Sequence, residues 1–343
     1  AAPVPERVRG QKRACGNPPR ARRSMSAELQ DAELEELQRC GVASAGLAAW
    51  VRAEQAQQRA AEAKYEGEAA IGSLFACSSD SSSEEDADEG GTAALQTARW
   101  RGPRQSGVEV CYALARGAAF GHGDEVWAAA IYLAERLCDP ESRRALLPAP
   151  ARCASSSSAA ALGGYRIVEL GAGCAIPSWV CSQLGAEVAA SDYPSLPSIA
   201  AMLRGALLNA ELRRPDAGAI EVVGHAWGAD VAPLLSAARG GGAGETEGGS
   251  GAGGGEGERF DVAIACDCIY DPSGHSPLLR TLCAALRPGG RALVAFSLHG
   301  NVDDQAVLAF FEGAAACGFA VEHTSAARIP LAWRPDGLDM LVL

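Results

Sequence analysis

One short stretch, residues 165–177, constrains the fold of this chain more than any other part of the sequence. It reads Tyr-Arg-Ile-Val-Glu-Leu-Gly-Ala-Gly-Cys-Ala-Ile-Pro. The run Tyr165–Leu170 predicts a buried strand, and Pro177 is typical of the first turn of a helix, where the N–H that proline lacks has no partner. Gly171 and Gly173 allow the backbone between them to approach a ligand with no side chain in the way. The stretch therefore predicts a strand–turn–helix unit that binds a ligand at the turn.

A carboxylate follows the next predicted strand, Glu187–Ser191, at position Asp192. At this place in a βαβ unit a carboxylate can accept hydrogen bonds from both hydroxyls of a ribose. A dinucleotide-binding fingerprint would also require a third glycine where Ile176 stands. The spacing therefore indicates a nucleoside-containing ligand without a pyrophosphate. An ordinary strand–turn–helix with convenient glycines is the alternative for the turn taken alone.

Length, charge and cysteine content limit the number of domains, the kind of partner and the compartment that this chain can have. The 343 residues suffice for one large domain or two small ones, and the net charge of −12 argues against nucleic acid as the main partner. The twelve cysteines include no CxxC pair, so neither a metal site nor a secreted disulfide framework is indicated. Cysteines scattered through apolar segments suit a reducing compartment, and no apolar run is long enough to span a membrane. We expect a cytoplasmic monomer that uses neither a metal nor a membrane.

Composition shifts along the chain predict its domain organisation. Residues 1–24 are rich in Arg and Pro and predict a disordered basic tail, and residues 25–77 predict a helical N-terminal extension. Residues 78–106 begin with a Ser-, Asp- and Glu-rich run and predict an acidic disordered linker. Residues 107–343 then form the predicted folded domain, in which the Gly-rich stretch 239–258 predicts a flexible insert.

The pattern of the folded domain is an alternation of strands and helices. Further strands are predicted at Ile220–Val223, Asp261–Cys266 and Arg291–Phe296, with helical segments between them. Two last strands, Phe319–His323 and Leu338–Leu343, are close enough in sequence to pair antiparallel. The pattern predicts an α/β fold: a Rossmann-like, doubly wound seven-stranded sheet, mostly parallel, with a C-terminal antiparallel hairpin.

Several candidate functional residues fall at the carboxyl ends of these predicted strands. Gly171, Asp192, Trp227 and Asp267 each follow a different strand. Open α/β sheets bind their ligands in the crevice outside these strand ends. Their common location is stronger support for a binding site than any one motif.

The motifs together resemble one family of enzymes. Leu-Gly-Ala-Gly, Asp-Tyr-Pro, Trp-Gly, Asp-x-x-Tyr and Pro-Gly-Gly occur in this order, as in the seven-β-strand (class I) S-adenosylmethionine-dependent protein lysine methyltransferases of the family 16 group, historically labelled nicotinamide N-methyltransferase-like. Asp192-Tyr-Pro194 and Phe296-Ser-Leu-His299 are most similar to the branch that modifies elongation factor 1-alpha at its N-terminus and a nearby lysine. The resemblance covers residues 120–343. It implies methyl transfer from S-adenosyl-L-methionine to a protein amine, with an elongation factor or a chaperone as the substrate.

The resemblance also implies roles for individual residues. For the cofactor, it places Trp127 as a lid and Asp192 on the ribose. The turn residues Gly171, Ala172 and Gly173 would lie against the methionine part, and the aromatic ring of Trp227 and the small side chain of Cys266 would cover the remaining surface. Asp267 and Tyr270 would face the acceptor nitrogen, Asp267 orienting the amine and Tyr270 forming a wall of its channel. Each residue also has a structural explanation, such as a core aromatic, a turn residue or a helix cap.

Two departures from the family pattern leave alternatives open. Ala175 replaces a usual glycine, which is tolerable if the backbone there keeps a negative φ, and Ala226 replaces a usual polar residue, so that His225 becomes the candidate partner for adenine. A small-molecule N-methyltransferase and a non-catalytic binding module on the same fold are the alternative functions. A nicotinamide-dependent oxidoreductase is disfavoured by Ile176.

Overall fold

The described part of the chain is an α/β structure with a parallel sheet at its centre. A computed structural model describes residues 23–26, 28–75, 94–115, 125–152, 160–237, 259–299, 302–323, 327–330 and 339–342. Its strands, in chain order, are β1 (Arg23–Ser26), β2 (Ala94–Arg101), β3 (Glu109–Ala115), β4 (Arg166–Leu170), β5 (Glu187–Asp192), β6 (Ile220–Gly224), β7 (Phe260–Cys266), β8 (Leu286–Ala295), β9 (Ala327–Pro330) and β10 (Asp339–Val342). The predicted α/β class is confirmed.

The helices alternate with the strands over most of the described chain. In order they are α1 (Asp31–Arg39), α2 (Ala45–Phe75), α3 (Ala128–Cys138), α4 (Pro140–Leu146), α5 (Ile176–Gln183), α6 (Leu196–Ala210), α7 (Ala232–Ser236), α8 (His275–Ala285) and α9 (Asp304–Ala316). Short 3-10 turns lie at Arg104–Ser106 and Pro272–Gly274.

The central sheet has five parallel strands in the order β6-β5-β4-β7-β8. The order reverses between β4 and β7, which leaves a crevice at the carboxyl ends of these two strands. Successive residues belong to opposite faces: Ile167 lies in the cluster with α3, α5 and α6, whereas Val168 lies in the cluster with α8 and α9. Every residue of β4 and β7 is buried, which is why both strands are mainly apolar, with Arg166, Glu169 and Asp261 as the exceptions.

The N-terminal helices are packed onto this core. Leu34 and Val51 are fully buried in the cluster that also contains residues of α5 and α6. The carbonyl of Val42, between α1 and α2, accepts a hydrogen bond of 2.8 Å from the N–H of Val222 on the edge strand β6. An ion pair joins Arg204 of α6 to Glu33 of α1. Helices α1 and α2 lie within residues 25–77, the stretch for which a helical extension is predicted, and they cover the edge of the sheet.

A second sheet contradicts part of the predicted tail and linker. Strands β1, β2 and β3 pair antiparallel, and β2 lies within the stretch for which a disordered linker was predicted. The prediction is therefore wrong from residue 94 onward, and the predicted tail is wrong for Arg23 and Ser24. Residues 1–22, the acidic run at 78–93 and the insert at 239–258 lie outside the described residues.

The C-terminal hairpin is present but differs from the prediction. Strands β9 and β10 pair antiparallel in a sheet of their own, separate from the five parallel strands. Residues 319–323 are not a strand, and β9 lies instead in the stretch predicted as a loop. Among the described residues the predicted seven-stranded sheet is thus five parallel strands plus a separate pair.

Candidate active site

The glycine turn and the carboxylate after the second strand are joined directly. Asp192 ends β5, and its Oδ2 accepts a hydrogen bond of 2.7 Å from the N–H of Gly173. Its Oδ1 accepts one of 2.7 Å from the N–H of Tyr193. Burial raises the pKa of Asp192, and these two hydrogen bonds oppose that shift. Since each carboxylate oxygen has two lone pairs, both oxygens can still accept a hydrogen bond from a ligand.

Gly171 and Gly173 both have backbone conformations that favour glycine, but their surroundings differ. Their φ angles are 68° and 53°. A Cβ placed on Gly171 would lie 2.8 Å from Cys268 Sγ and 3.0 Å from Trp227 Cζ2, so this side of the turn is filled. A Cβ on Gly173 would meet no atom within 4 Å. The open side of the turn is therefore at Gly173, beside the carboxylate of Asp192.

A buried glutamate supports the turn from behind. Glu169 of β4 is 1% exposed, and its Oε2 accepts hydrogen bonds from the N–H and the hydroxyl of Ser178, at 2.9 and 2.5 Å. Burial raises the pKa of Glu169 to about 8 and the charge of Asp192 adds to the increase, whereas the bonds from Ser178 oppose it. At neutral pH this side chain is a neutral carboxylic acid that fixes α5 against β4.

The residue after the turn corrects one expectation. Ala175 has a φ of 58°, in the left-handed region, and it is fully buried at the N-cap of α5. Ala175 therefore does not have the negative φ under which an alanine was expected to be tolerated here, and that expectation is wrong. Side chains other than glycine pay roughly 1–2 kcal/mol in this region. The surrounding hydrogen bonds, from Ala175 N–H to Ala172 O and from Trp179 N–H to Ala175 O, hold it there.

The loop after β6 brings an aromatic ring and a histidine to the same edge of the sheet. Trp227 is partly buried and packs against Gly171 and Gly274. His225 donates its backbone N–H to the carbonyl of Asp192 at 2.8 Å. Its side chain is 4% exposed, and its Nε2 has no hydrogen-bond partner among the described residues. Burial lowers the pKa of His225, which favours the neutral ring.

Asp267 follows β7 on the other side of the crevice, and its carboxylate is already engaged. Oδ1 accepts a hydrogen bond of 2.7 Å from Ser297 N–H, and Oδ2 accepts one of 3.4 Å from Ala129 N–H at the start of α3. The side chain is buried, and the backbone has a φ of 51°, which is uncommon for any residue with a Cβ. Asp267 thus connects α3 to the loop that follows β8.

Trp127 and His299 complete this side of the crevice. Trp127 is the N-cap residue of α3, and its ring meets the ring of His299 edge-on at a centroid distance of 5.1 Å. His299 Nε2 lies 3.4 Å from Asp267 Oδ1. The structure therefore brings Trp127 and Asp267 together through His299.

The other predicted residues lie on the same edge at different depths. Tyr270, in the loop after β7, is half-buried; burial raises its pKa, and the charges of Cys268, Asp271 and Asp192 add smaller increases. Cys266 ends β7 and is buried in the core cluster that contains Ala172. Burial also raises the pKa of Cys266 well above its usual range, so it is a neutral thiol.

Sequence reasoning did not assign a role to His299 or Ser297. Both were noticed as part of a family motif, and the signal that could have identified them is their position just after the carboxyl end of β8. Ser297 is 3% exposed, and its hydroxyl has no hydrogen-bond partner among the described residues.

Two cavities in the described part of the chain lie away from this edge. One cavity, of about 640 Å³, is lined by residues of α8, β8 and α9, and a smaller one, of about 190 Å³, lies among α1, α5 and α6. In the described ranges, no group of three or more His, Cys, Asp or Glu side chains could hold a metal ion. No helix in those ranges has the length and apolar character needed to cross a membrane.

Comparison with known proteins gives relatives of one kind. The chain is similar to protein N-terminal and lysine N-methyltransferases. It is 33% identical over 174 residues to the protein named EFM7 of this type from Candida albicans, covering 50% of this chain and 61% of the relative. It is 33% identical over 162 residues to the one from Neurospora crassa, covering 46% of this chain and 53% of the relative. The chain thus spans less than two thirds of either relative.

The comparisons with protein-family models and with solved structures give no further indication of function. No protein-family model matches the chain. A solved structure, the 16S rRNA N2 G1207 methyltransferase of T. Thermophilus with AdoMet and guanosine, is similar at 17% identity and a TM-score of 0.37, over 72% of this chain and 50% of that one. An overlap this limited does not bear on function.

Proposed function

We propose that this protein is an S-adenosylmethionine-dependent methyltransferase that acts on a protein amine, either a lysine side chain or an N-terminal amino group. The observation that carries the proposal is the direct hydrogen bond between Asp192 and the N–H of Gly173. It puts the carboxylate of Asp192, the residue proposed to bind the ribose, beside an open glycine turn at the switch point of a parallel sheet. The names of the relatives supply the type of acceptor.

Five residues at this edge fit the cofactor. The space in front of Gly173 is open, as an added Cβ there would meet nothing within 4 Å. Asp192 keeps free lone pairs for the ribose hydroxyls. The buried Nε2 of His225 lacks a partner in the described residues and is a candidate contact for the adenine edge. Trp227 offers a flat ring for stacking on the base, and Trp127 a lid at the start of α3.

The residues of the chain would mainly position the reactants and exclude water. When bound, S-adenosylmethionine supplies an electrophilic methyl group on a positively charged sulfur. The acceptor amine must be neutral to attack, and a dry channel favours its neutral form. Tyr270 would form a wall of this channel, and Asp267 would help to orient the amine. Orientation of the two reactants supplies the remaining rate enhancement.

The proposed substrate is a protein, with translation elongation factor 1-alpha as the first candidate and a chaperone as the second. The net charge of −12 favours a basic protein segment over nucleic acid as the partner. We further propose that the protein acts as a monomer in the cytoplasm, where its many free cysteines would remain reduced.

Cofactor binding is tested by calorimetry on matched glycine variants. Gly173→Ala and Gly107→Ala impose similar backbone strain, since their φ angles are 53° and 61° and an added Cβ is unobstructed at both. We expect a similar loss of stability, roughly 1–2 kcal/mol, but a loss of S-adenosylmethionine affinity of at least tenfold for Gly173→Ala alone. Equal affinity in the two variants would contradict the binding site at this turn.

The ribose contact and the methyl transfer are tested separately. Asp192→Ala should weaken S-adenosylmethionine and its demethylated product alike, by roughly two orders of magnitude, because charge-assisted hydrogen bonds are lost. Transfer is measured with radiolabelled cofactor and recombinant elongation factor 1-alpha, followed by mass spectrometry of the modified amine. Cofactor binding without transfer to any protein in a cell lysate would refute the enzymatic part of the proposal.

A further inference from the structure

A histidine that the sequence did not assign lies at the edge of the proposed acceptor channel. His299 follows β8, and two contacts from other elements fix its ring. Its Nε2 lies 3.4 Å from Asp267 Oδ1, after β7, and its ring packs edge-on against Trp127, at the start of α3. The side chain is 16% exposed, so a substrate group at the crevice can reach it.

The burial of Asp267, deeper than that of Asp192, makes a direct contact with the substrate amine less favourable than an indirect one. Its two oxygens already accept hydrogen bonds from the N–H groups of Ser297 and Ala129. The carboxylate is 3% exposed as a side chain, and the unusual φ of 51° holds it in this position. His299, which lies 3.4 Å from this carboxylate and is partly exposed, is a side chain able to carry a proton between it and the crevice.

The pairing also decides which nitrogen of His299 can accept a proton. An ionised carboxylate accepts hydrogen bonds only, so the pair favours the neutral tautomer with its hydrogen on Nε2, the ring nitrogen 3.4 Å from Asp267 Oδ1. The lone pair of the ring is then on Nδ1, which has no hydrogen-bond partner among the described residues. Asp267 is the charged group within 4 Å of the ring in the described chain. Trp127, whose ring packs against His299 from the N-cap of α3, and Ser297 of the same loop carry no charge.

We propose that His299 takes the proton from the acceptor amine and that Asp267 is a positioning residue that acts through it. This inference rests on the proposed methyl transfer. The amine N–H proton moves to Nδ1, the nitrogen lone pair forms the new bond to the methyl carbon, and the electron pair of the broken sulfur–carbon bond remains on the sulfur. The imidazolium is stabilised by the negative charge of Asp267 and later releases its proton to water. Imidazole is suited to this role because it exchanges protons near neutral pH.

If His299 accepts the proton, the turnover of a His299 variant depends on pH in a way that a purely structural role does not predict. Without His299, the amine must lose its proton to water, and this becomes easy only as the pH approaches the pKa of a free amine, about 8 for an N-terminus and about 10.4 for lysine. A variant that merely loosens the loop would instead lose activity by the same factor at every pH.

The experiment compares three variants of the full chain across a range of pH. His299→Gln removes the base, and His299→Phe also removes it but retains a flat ring against Trp127. His323→Gln, at an exposed position after α9, is the matched control. With elongation factor 1-alpha as the acceptor, we expect both His299 variants to lose about 100-fold in turnover at pH 7, as for loss of a general base. The deficit should shrink steadily toward pH 10, and cofactor affinity by calorimetry should stay within a few-fold.

A second measurement does not depend on turnover. Nitrogen-15 NMR of histidine-labelled protein reports which ring nitrogen carries the hydrogen, and the signal of His299 is identified by its absence in His299→Gln. We expect hydrogen on Nε2 in the neutral ring. Hydrogen on Nδ1, or a deficit in turnover that is the same at every pH, would overturn the proposal.

The outcomes separate this inference from the function on which it rests. A wild-type protein that transfers methyl groups, together with a His299→Gln variant that is equally active at pH 7, refutes the role of His299 and leaves the methyltransferase intact. A wild-type protein that binds no S-adenosylmethionine refutes both.

Discussion

The buried glutamate behind the glycine turn gives a prediction whose size follows from the structure. Glu169 is 1% exposed, and burial, with a smaller contribution from the charge of Asp192, raises its pKa from an ordinary value of 4.5 to about 8. The unfolded chain therefore releases this proton near pH 4.5, whereas the folded protein keeps it until about pH 8. Between these values the folded state binds more protons, so this group's contribution to stability decreases as the pH rises.

The expected magnitude is large enough to measure. The slope is about 1.4 kcal/mol per pH unit, and the total over the full interval is about 5 kcal/mol. Glu169→Gln cannot ionise and keeps an acceptor oxygen for the two hydrogen bonds from Ser178. Its extra N–H₂ group adds a cost of roughly 1–3 kcal/mol if it lacks a partner, but that cost does not vary with pH. The variant should therefore gain stability relative to the wild type as the pH is raised.

The assay is urea unfolding of the wild type and Glu169→Gln at intervals from pH 5 to pH 8. The difference between the two unfolding free energies isolates this group from the other titrating residues. Glu322→Gln, at an exposed position after α9, is the control for replacing a glutamate without burial. A difference for Glu169→Gln that stays flat across this range would refute the reasoning, because it would mean that Glu169 ionises in the folded protein as it does in the unfolded chain.

Three further predictions concern the packing that supports the site. Asn209→Ala should lower the unfolding free energy by about 2–4 kcal/mol, since its side chain bonds both the N–H and the C=O of Cys111 in a buried position; a loss under 0.5 kcal/mol in urea unfolding would contradict this. Leu34→Ala should lower the unfolding free energy of the whole protein by about 2–5 kcal/mol, because the residue is fully buried. A separate early transition in the melt would contradict this, because it would mean that α1 unfolds independently of the core. Asp261→Ala should lower the unfolding free energy by about 3–5 kcal/mol, because it leaves Arg287 without its buried carboxylate partner. Circular-dichroism melts would detect this loss as a large drop in Tm, and an unchanged Tm would contradict the prediction.

The strands of the parallel sheet could be predicted from sequence because their signals are local. In β4 and β7 both faces are covered, so both strands are apolar apart from Arg166, Glu169 and Asp261, and each ends at a glycine turn or a polar residue. The predicted bounds agree with the structure to within one residue for β4, β5, β6 and β7. The switch point, and with it the place of the crevice, followed from the order of these elements.

The antiparallel strands could not be predicted in the same way. Strand β2, with the sequence Ala-Leu-Gln-Thr-Ala-Arg-Trp-Arg, lacks a continuous apolar run and follows an acidic stretch that favours disorder. Its partner β3 pairs with it and is bonded to α6 through Asn209, a contact between residues 98 positions apart. The pairing therefore depends on groups that no local window contains.

The sequence by itself determined the class of fold, the glycine turn and the placement of Asp192, Trp227 and Asp267 at one edge of a sheet. These follow from local propensity, apolar periodicity and the geometry of parallel strands. Only the tertiary structure decided the states of these groups: that Glu169 is neutral, that Ala175 is held at positive φ, and that the carboxylate of Asp267 is engaged with Ser297 and Ala129. Burial and hydrogen-bond partners set these states, and for Asp267 the partner on α3 is 138 residues away in the chain.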